Sequence, residues 1–372
     1  MFWLLALWFV LLAVFAGSYG LYFGYLRIHS KKPWDLRLDE GYEPAVSILV
    51  PAHNEAKVIR RKLENLSAVA YPREKLEVFL IDDASSDGTL REVEGFIRDF
   101  PDFPLKLVKQ SPRSGKAAGL NRALGFVSHD VIVVTDADAF WEKDLLSRGL
   151  TYLSDPAVGA VSGRQVAGGL AQSWVAKGET SYLDLISVLR VGESKIHSTI
   201  RFEGVFCGFK RACFEEFDRS GADDSGTALR VVQNGFRAFV VPELAVPSEV
   251  PNGLGERIRV KTRRSFHLTG LWVQCLKSLV KGRAGLPKKI AVPEVFISLF
   301  DPFVFFVLAC VTVMLCALIP VFLIPLVVVL GCLALIPLAR SYFVNGVLDQ
   351  FVILYSIFLY AGRKKITSWE KS

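Results

Sequence analysis

The run Val131-Ile132-Val133-Val134-Thr135-Asp136-Ala137-Asp138 constrains the chain more than any other. Consecutive β-branched apolar residues describe a strand buried on both faces, as in parallel sheets. The run stops at two carboxylates one residue apart, and side chains at i and i+2 of an extended chain share a face. Asp136 and Asp138 therefore belong at the carboxyl end of a central strand, the edge where open α/β sheets hold ligands. Two hard oxygen donors there suit Mg2+ or Mn2+, bound through one or two carboxylates plus substrate phosphates. Asp-x-Asp alone is common at surface turns, so the reading rests on what surrounds it.

Upstream, Ala45 to Val50 reads as a first buried strand stopped by Pro51, followed by the polar loop Ala52-His53-Asn54-Glu55. A helical stretch carries Val58, Leu63 and Leu66. Leu76 to Ile81 is a second strand, ending in Asp82-Asp83. The turn-forming loop Ala84 to Thr89 offers Asp87 or Thr89 as a cap for the next helix. Leu105 to Val108 is a third strand. Gly115-Lys116-Ala117-Ala118-Gly119-Leu120-Asn121 opens another helix. It is not a Walker A loop, although Lys116 can neutralise a phosphate; an ordinary helix start with a solvated lysine fits equally well. Downstream, Phe202 to Arg211 suits a loop approaching a ligand, or a plain β-turn segment. Gly221-Ala222-Asp223-Asp224 precedes a helix through Leu229, Val232 and Phe236, and Phe239 to Val241 is a last strand. Strand, loop and helix in repetition predict an α/β domain with a mainly parallel sheet and a nucleotide-sized crevice at one edge.

This domain is flanked by apolar sequence. Met1 to Leu26 carries no charge and exceeds the roughly 20 residues that span hydrocarbon. A signal peptide is the alternative, but it needs a basic n-region that is absent here. Arg27, Lys31 and Lys32 follow the segment, which predicts an N-terminus outside and a cytoplasmic domain. Three apolar segments close the chain: Val292 to Leu318, Val321 to Leu338 and Phe343 to Ala361. Glu294 and Asp301 mark the start of the first as interfacial. Arg363, Lys364 and Lys365 point to a cytoplasmic C-terminus, which conflicts with three further full spans unless one is re-entrant or interfacial. The overall 51% of hydrophobic residues, with 27 Phe, agrees with membrane segments. The six cysteines lack zinc spacing and read as reduced.

Leu170 to Ile200 is patterned as an amphipathic helix. Glu256 to Lys289 is basic, with Arg257, Arg259, Lys261, Arg263 and Arg264 closely spaced. Leu268, Leu271, Trp272, Cys275, Leu276 and Leu279 form a helical stripe beside them, the pattern of a helix lying in a membrane interface. With the formal net charge of +7 next to apolar segments, anionic lipid is the expected partner and nucleic acid is not. The predicted organisation is an N-terminal transmembrane helix (1–27), a catalytic domain (44–255), a basic interfacial region (256–289), C-terminal transmembrane helices (290–362) and a basic tail (363–372).

Taken together, Pro51-Ala52-His53-Asn54-Glu55, Asp82-Asp83 with its Ser85-Ser86-Asp87-Gly88-Thr89 loop, Gly115 to Asn121, Asp136-Ala137-Asp138 and Asp223-Asp224 resemble, in order and spacing, a family 2 glycosyltransferase domain. The match covers about Val46 to Ser265, and the flanks resemble the membrane-integrated branch that includes polysaccharide synthases and glycolipid-forming transferases. The resemblance implies the GT-A fold and an inverting hexosyl transfer from a nucleotide-sugar, a UDP-sugar by default, with Mg2+ or Mn2+. It implies that Pro51, His53 and Glu55 line the nucleoside pocket and that Asp82 and Asp83 contact base or ribose. Lys116 would lie near the phosphates, Asp136 would face ribose and sugar, Asp138 would bind the metal, and Asp224 would be the general base. Processive synthases carry Gln-x-x-Arg-Trp near their interfacial helices. Here Lys261-Thr262-Arg263-Arg264-Ser265 keeps the arginine and loses the tryptophan platform. Arg263 and Arg264 remain expected diphosphate contacts, with lipid headgroup contact as their alternative. The missing platform favours single transfer to a membrane lipid, in the plasma membrane, over polymer synthesis. More distant alternatives are a sugar nucleotidyltransferase and a non-catalytic scaffold or transporter subunit.

Overall fold

The computed structural model describes residues 1–169, 173–220, 222–324, 327–328, 331, 335 and 337–362. They divide into two compact units.

The first unit, from His29–Gly169 and Ser187–Glu249, is an α/β domain. Its strands are β1 (Val46–Ala52), β2 (Leu76–Asp82), β3 (Leu105–Lys109), β4 (Val131–Val134), β5 (Val158–Ala167), β6 (Cys207–Lys210) and β7 (Arg237–Ser248). They form one sheet in the order β3-β2-β1-β4-β6-β5-β7. The pairs β3-β2, β2-β1, β1-β4 and β5-β7 are parallel, while β6 runs antiparallel to both β4 and β5. The helices are α2 (Ile59–Ser67), α3 (Thr89–Asp99), α4 (Lys116–Ala123), α5 (Leu145–Thr151) and α7 (Asp223–Gln233), with the second half of α6 (Trp174–Ile196). Ile48, Val50, Val78, Leu80, Val133, Val161, Phe206 and Phe239 belong to one buried core. β1, β2 and β4 are buried along their whole length, which explains their uninterrupted apolar runs.

Four features of the sheet differ from the sequence expectation. β1 continues through Pro51 to Ala52, so Pro51 is buried in a strand instead of ending it. Leu49 O accepts the last β4 bond, from Thr135 N, and Pro51 points to that same side just beyond the end of β4, so its missing N–H removes no ladder bond. The second half of Phe202 to Arg211 is strand β6 and not loop. β5 was not anticipated, and β7 is far longer than Phe239 to Val241.

The second unit, from the described parts of Met1–Ile28, Leu170–Ile186 and Val250–Ile366, is helical. It contains α1 (Phe2–Ser30), α8 (Leu254–Val280), α9 (Lys288–Val295), α10 (Asp301–Leu318) and α11 (Pro337–Ala361). Three stretches are long and apolar enough to cross a membrane: Phe2–Ser30, Lys288–Leu318 and Phe343–Ala361. Part of the expected Val321 to Leu338 segment (325–326, 329–330, 332–334 and 336), and the basic cluster Arg363, Lys364 and Lys365, lie outside the described residues. On α8 two of the closely spaced basic residues turn inward. Arg257 and Lys261 are buried. Arg257 pairs with Glu179 at 3.2 Å, and Lys261 pairs with Asp349 at 2.7 Å and Glu179 at 3.5 Å. Carboxylates meet these two cations because an unpaired buried charge is too costly to keep.

Candidate active site

The loops following β1, β2, β3 and β4 and the first turns of α4 and α7 form the site, all within the α/β unit. After β1, His53 Nδ1 donates to the Asp83 carbonyl at 2.8 Å. Glu55 is buried, and its N–H donates to Thr89 Oγ1 at 2.8 Å. Asn54 and Ala84 adopt left-handed backbone, with φ of 57° and 55°. For non-glycine residues such backbone is strained, and strain of this kind gathers at functional loops. Asp87 Oδ1 accepts the Thr89 N–H at 2.9 Å just before α3, whose N-cap is Gly88 and neither of the expected caps.

Asp83 is 2% exposed, and its carboxylate is filled by the chain itself. Oδ1 accepts from Ser114 N at 2.7 Å, Gln110 Nε2 at 2.8 Å and Gly115 N at 3.1 Å. It thus ties the end of β2 to the loop that delivers Lys116. Gly115, at φ 88°, turns that loop into α4. Asp82 is equally buried, and its Oδ1 finds no hydrogen-bond donor among the described residues. A buried acceptor of this kind is an opening for a ligand hydroxyl or N–H.

Lys116 is the centre of charge. Its Nζ lies 3.0 Å from Asp136 Oδ1, 3.1 Å from Asp223 Oδ2 and 3.4 Å from Asp224 Oδ2. Burial by itself would lower its pKa, but the three carboxylates overcome this and hold it well above the ordinary lysine value. Burial, followed by the charge of Asp223, pushes Asp224 well above the usual carboxylate range, while Lys116 pulls the other way. The result is a carboxyl of strengthened basicity beside a fixed ammonium, a combination suited to taking a proton from a hydroxyl.

Asp136 is set by the loop Phe202 to Phe206. Its N–H donates to Gly204 O at 2.8 Å. A Cβ on residue 204 would fall 2.5 Å from Asp136 Oδ2, so the close approach requires glycine. Trp141 Nε1 and Thr135 Oγ1 both donate to Val205 O, at 2.8 and 3.0 Å. Glu203 accepts from Arg190 and from the Gln165 N–H. Asp138 lies at the same end of β4 and is exposed. No group of three His, Cys, Asp or Glu suited to a cation occurs among the described residues. A divalent ion would therefore take Asp138 plus oxygens of a bound diphosphate and water, a donor set that suits Mg2+ or Mn2+.

The structure thus brings Lys116, Asp136 and Asp224 together and adds Asp223 to them. It groups His53, Glu55, Asp82 and Asp83 at the ends of β1 and β2. Arg263 and Arg264 lie on α8, in the helical unit. One residue escaped the sequence reading. Lys62 is 0% exposed, and its Nζ donates to Thr135 Oγ1 at 2.9 Å and to Ala139 O. Burial lowers its pKa to about 7 against the pull of Asp136 and Asp138. The signal was present: Ile59, Lys62, Leu63 and Leu66 fall at i, i+3, i+4 and i+7, which places a lysine on an apolar stripe.

A mannosyltransferase from Pyrobaculum calidifontis, solved in complex with GDP-Man and Mn2+, superposes with a TM-score of 0.82 at 31% identity, covering 97% of this chain and 100% of that one. The profile of Glycosyl transferase family 2 matches residues 47–217. The chain belongs to glycosyl transferase family 2. Its sheet has the GT-A arrangement, and it is a glycosyltransferase. Among curated relatives, a probable glycosyltransferase, YdaM, of Bacillus subtilis is 26% identical over 71% of this chain and 63% of its own length. A beta-monoglucosyldiacylglycerol synthase of Synechocystis is 32% identical over 38% of this chain and 30% of its own length. The chain thus spans less than two thirds of the length of these two curated relatives.

Proposed function

We propose that this family 2 enzyme transfers one hexosyl residue from a nucleotide-sugar to a hydroxyl of a membrane lipid at the cytoplasmic face. The observation that carries the reading is the Lys116 cluster, which sets a strengthened base, Asp224, beside the Asp-x-Asp turn.

In this reading His53, Glu55, Asp82 and Asp83 surround the nucleoside, with Asp82 Oδ1 accepting a donor from base or ribose, and Pro51 backs the pocket from β1. Lys116 lies beside the donor phosphates and Asp136 orients ribose and sugar. Asp224 takes the proton of the acceptor hydroxyl, and attack from the opposite face inverts the anomeric carbon. Asp138 would hold Mg2+ or Mn2+, which when bound supplies charge to the departing diphosphate. The full-length likeness to a structure holding GDP-Man and Mn2+ moves GDP-mannose ahead of UDP-sugars as the first donor to try. Lipid acceptance is supported by the three apolar helices and the resemblance to a diacylglycerol glucosyltransferase. The absence of a tryptophan at Ser265 favours one transfer over chain extension.

The test is a donor screen on the full chain with native membrane lipids and Mn2+ or Mg2+, read by mass analysis of the lipid extract. A lipid heavier by one hexose, lost on chelation, is expected. A polymer ladder contradicts single transfer, and no turnover with any donor contradicts the whole reading.

A further inference from the structure

The Asp136-Ala137-Asp138 turn is gripped from inside the domain by α2. We propose that Lys62 is a positioning residue that holds the Asp136-Ala137-Asp138 turn in the geometry needed to bind a divalent cation through Asp138. Lys62 contacts Thr135, one residue before the turn, and Ala139, one residue after it, so a single ammonium brackets both carboxylates. Its Nζ also lies 4.6 Å from the centroid of the Trp141 ring. One turn along α2, Asn65 fixes the backbone that follows. Asn65 Nδ2 donates to Trp141 O, and Trp141 N donates to Asn65 Oδ1, each at 2.8 Å.

Stability does not explain this lysine. Removing an ammonium from water is costly, and a methionine of similar length would fill the space with no charge to desolvate. The contacts that Lys62 makes all converge on the turn that presents Asp138. Groups that orient a metal ligand from behind are worth about 10- to 100-fold in metal affinity.

The inference rests on the metal-dependent reading above, and the experiment separates the two. Mn2+ binding to the full chain is measured by electron paramagnetic resonance with GDP present, and again with UDP, for wild type, Lys62→Met and Thr135→Val, with Tm recorded for each. Lys62→Met is expected to keep or raise Tm and to bind Mn2+ roughly 10- to 100-fold more weakly. Thr135→Val, which removes one anchor, is expected to show a smaller loss. A fold defect alone would lower Tm and affinity together. Wild-type Mn2+ binding with Lys62→Met unchanged overturns this inference alone, as does an affinity loss that only tracks a falling Tm. If Lys62→Met does not fold, Thr135→Val with intact Tm and unchanged affinity overturns it. Absence of Mn2+ binding in wild type with either nucleotide overturns the metal reading and this inference with it.

Discussion

Asp224 shows how neighbours change the chemistry of an ordinary side chain. Burial and Asp223 raise its pKa, while Lys116 stabilises its anion. A base must be deprotonated to act, so activity rises with pH through the Asp224 pKa, and the acid limb lies above the range of a solvated carboxylate. Replacing Lys116 by Met removes the stabilising charge and is expected to move that limb further up in pH, read as the kcat/KM profile. Lys62 has the opposite sign of effect. Its folded pKa of about 7 lies below that of an exposed lysine, so folding disfavours its proton. Its contribution to stability is lost as pH falls through about 7 and regained as pH rises above it. Wild type is therefore expected to gain stability from about pH 7 upward relative to Lys62→Met, as read by thermal unfolding of both across that range. Asp136 was legible at the end of an apolar run, while Lys116 and Asp224 were singled out through the resemblance of their motifs to family 2 glycosyltransferases. Lys62 was passed over because lysine on a helix reads as solvated, and the burial that gives it meaning is a tertiary fact.

At the scale of elements, β1, β2 and β4 were legible as apolar runs because both of their faces are covered. β5 and β6 were not, for a physical reason. β5 carries Gly159, Gly163 and Arg164, and β6 is four residues long with Gly208 inside it, so neither shows a continuous apolar run. The antiparallel insertion of β6 between β4 and β5 was hidden with them. α4 was anticipated, but its contact with the sheet was not. A Cβ at Gly119 would meet Ile81 Cγ2 at 2.7 Å and Gln110 Nε2 at 2.8 Å. Gly119→Ala is expected to push α4, and Lys116 with it, off the end of β2. The cost should be about 1–3 kcal/mol in stability, with a fall in kcat, measured by thermal denaturation and steady-state kinetics. The ion cluster of the helical unit was equally hidden, because Glu179 and Asp349 lie far in sequence from Arg257 and Lys261. Asp349→Leu leaves Lys261 with Glu179, which Arg257 already shares, and is expected to destabilise the protein by about 3 kcal/mol, read as a lowered Tm.

For the whole molecule, the two kinds of sequence pattern separate cleanly. The α/β unit carries the titratable site, and the helical unit carries three stretches able to cross a membrane. The protein is therefore expected to stay in the membrane pellet after alkaline carbonate extraction, whereas release to the supernatant would contradict membrane insertion. The central claim is that the Lys116 cluster exists to activate an acceptor hydroxyl through Asp224. The most direct test compares wild type with Asp224→Asn, using whichever donor and lipid support turnover, while nucleotide affinity is followed in parallel. Asp224→Asn is expected to lose about 10²- to 10⁴-fold in kcat with nucleoside diphosphate affinity essentially retained. Turnover by Asp224→Asn at the wild-type rate would contradict it.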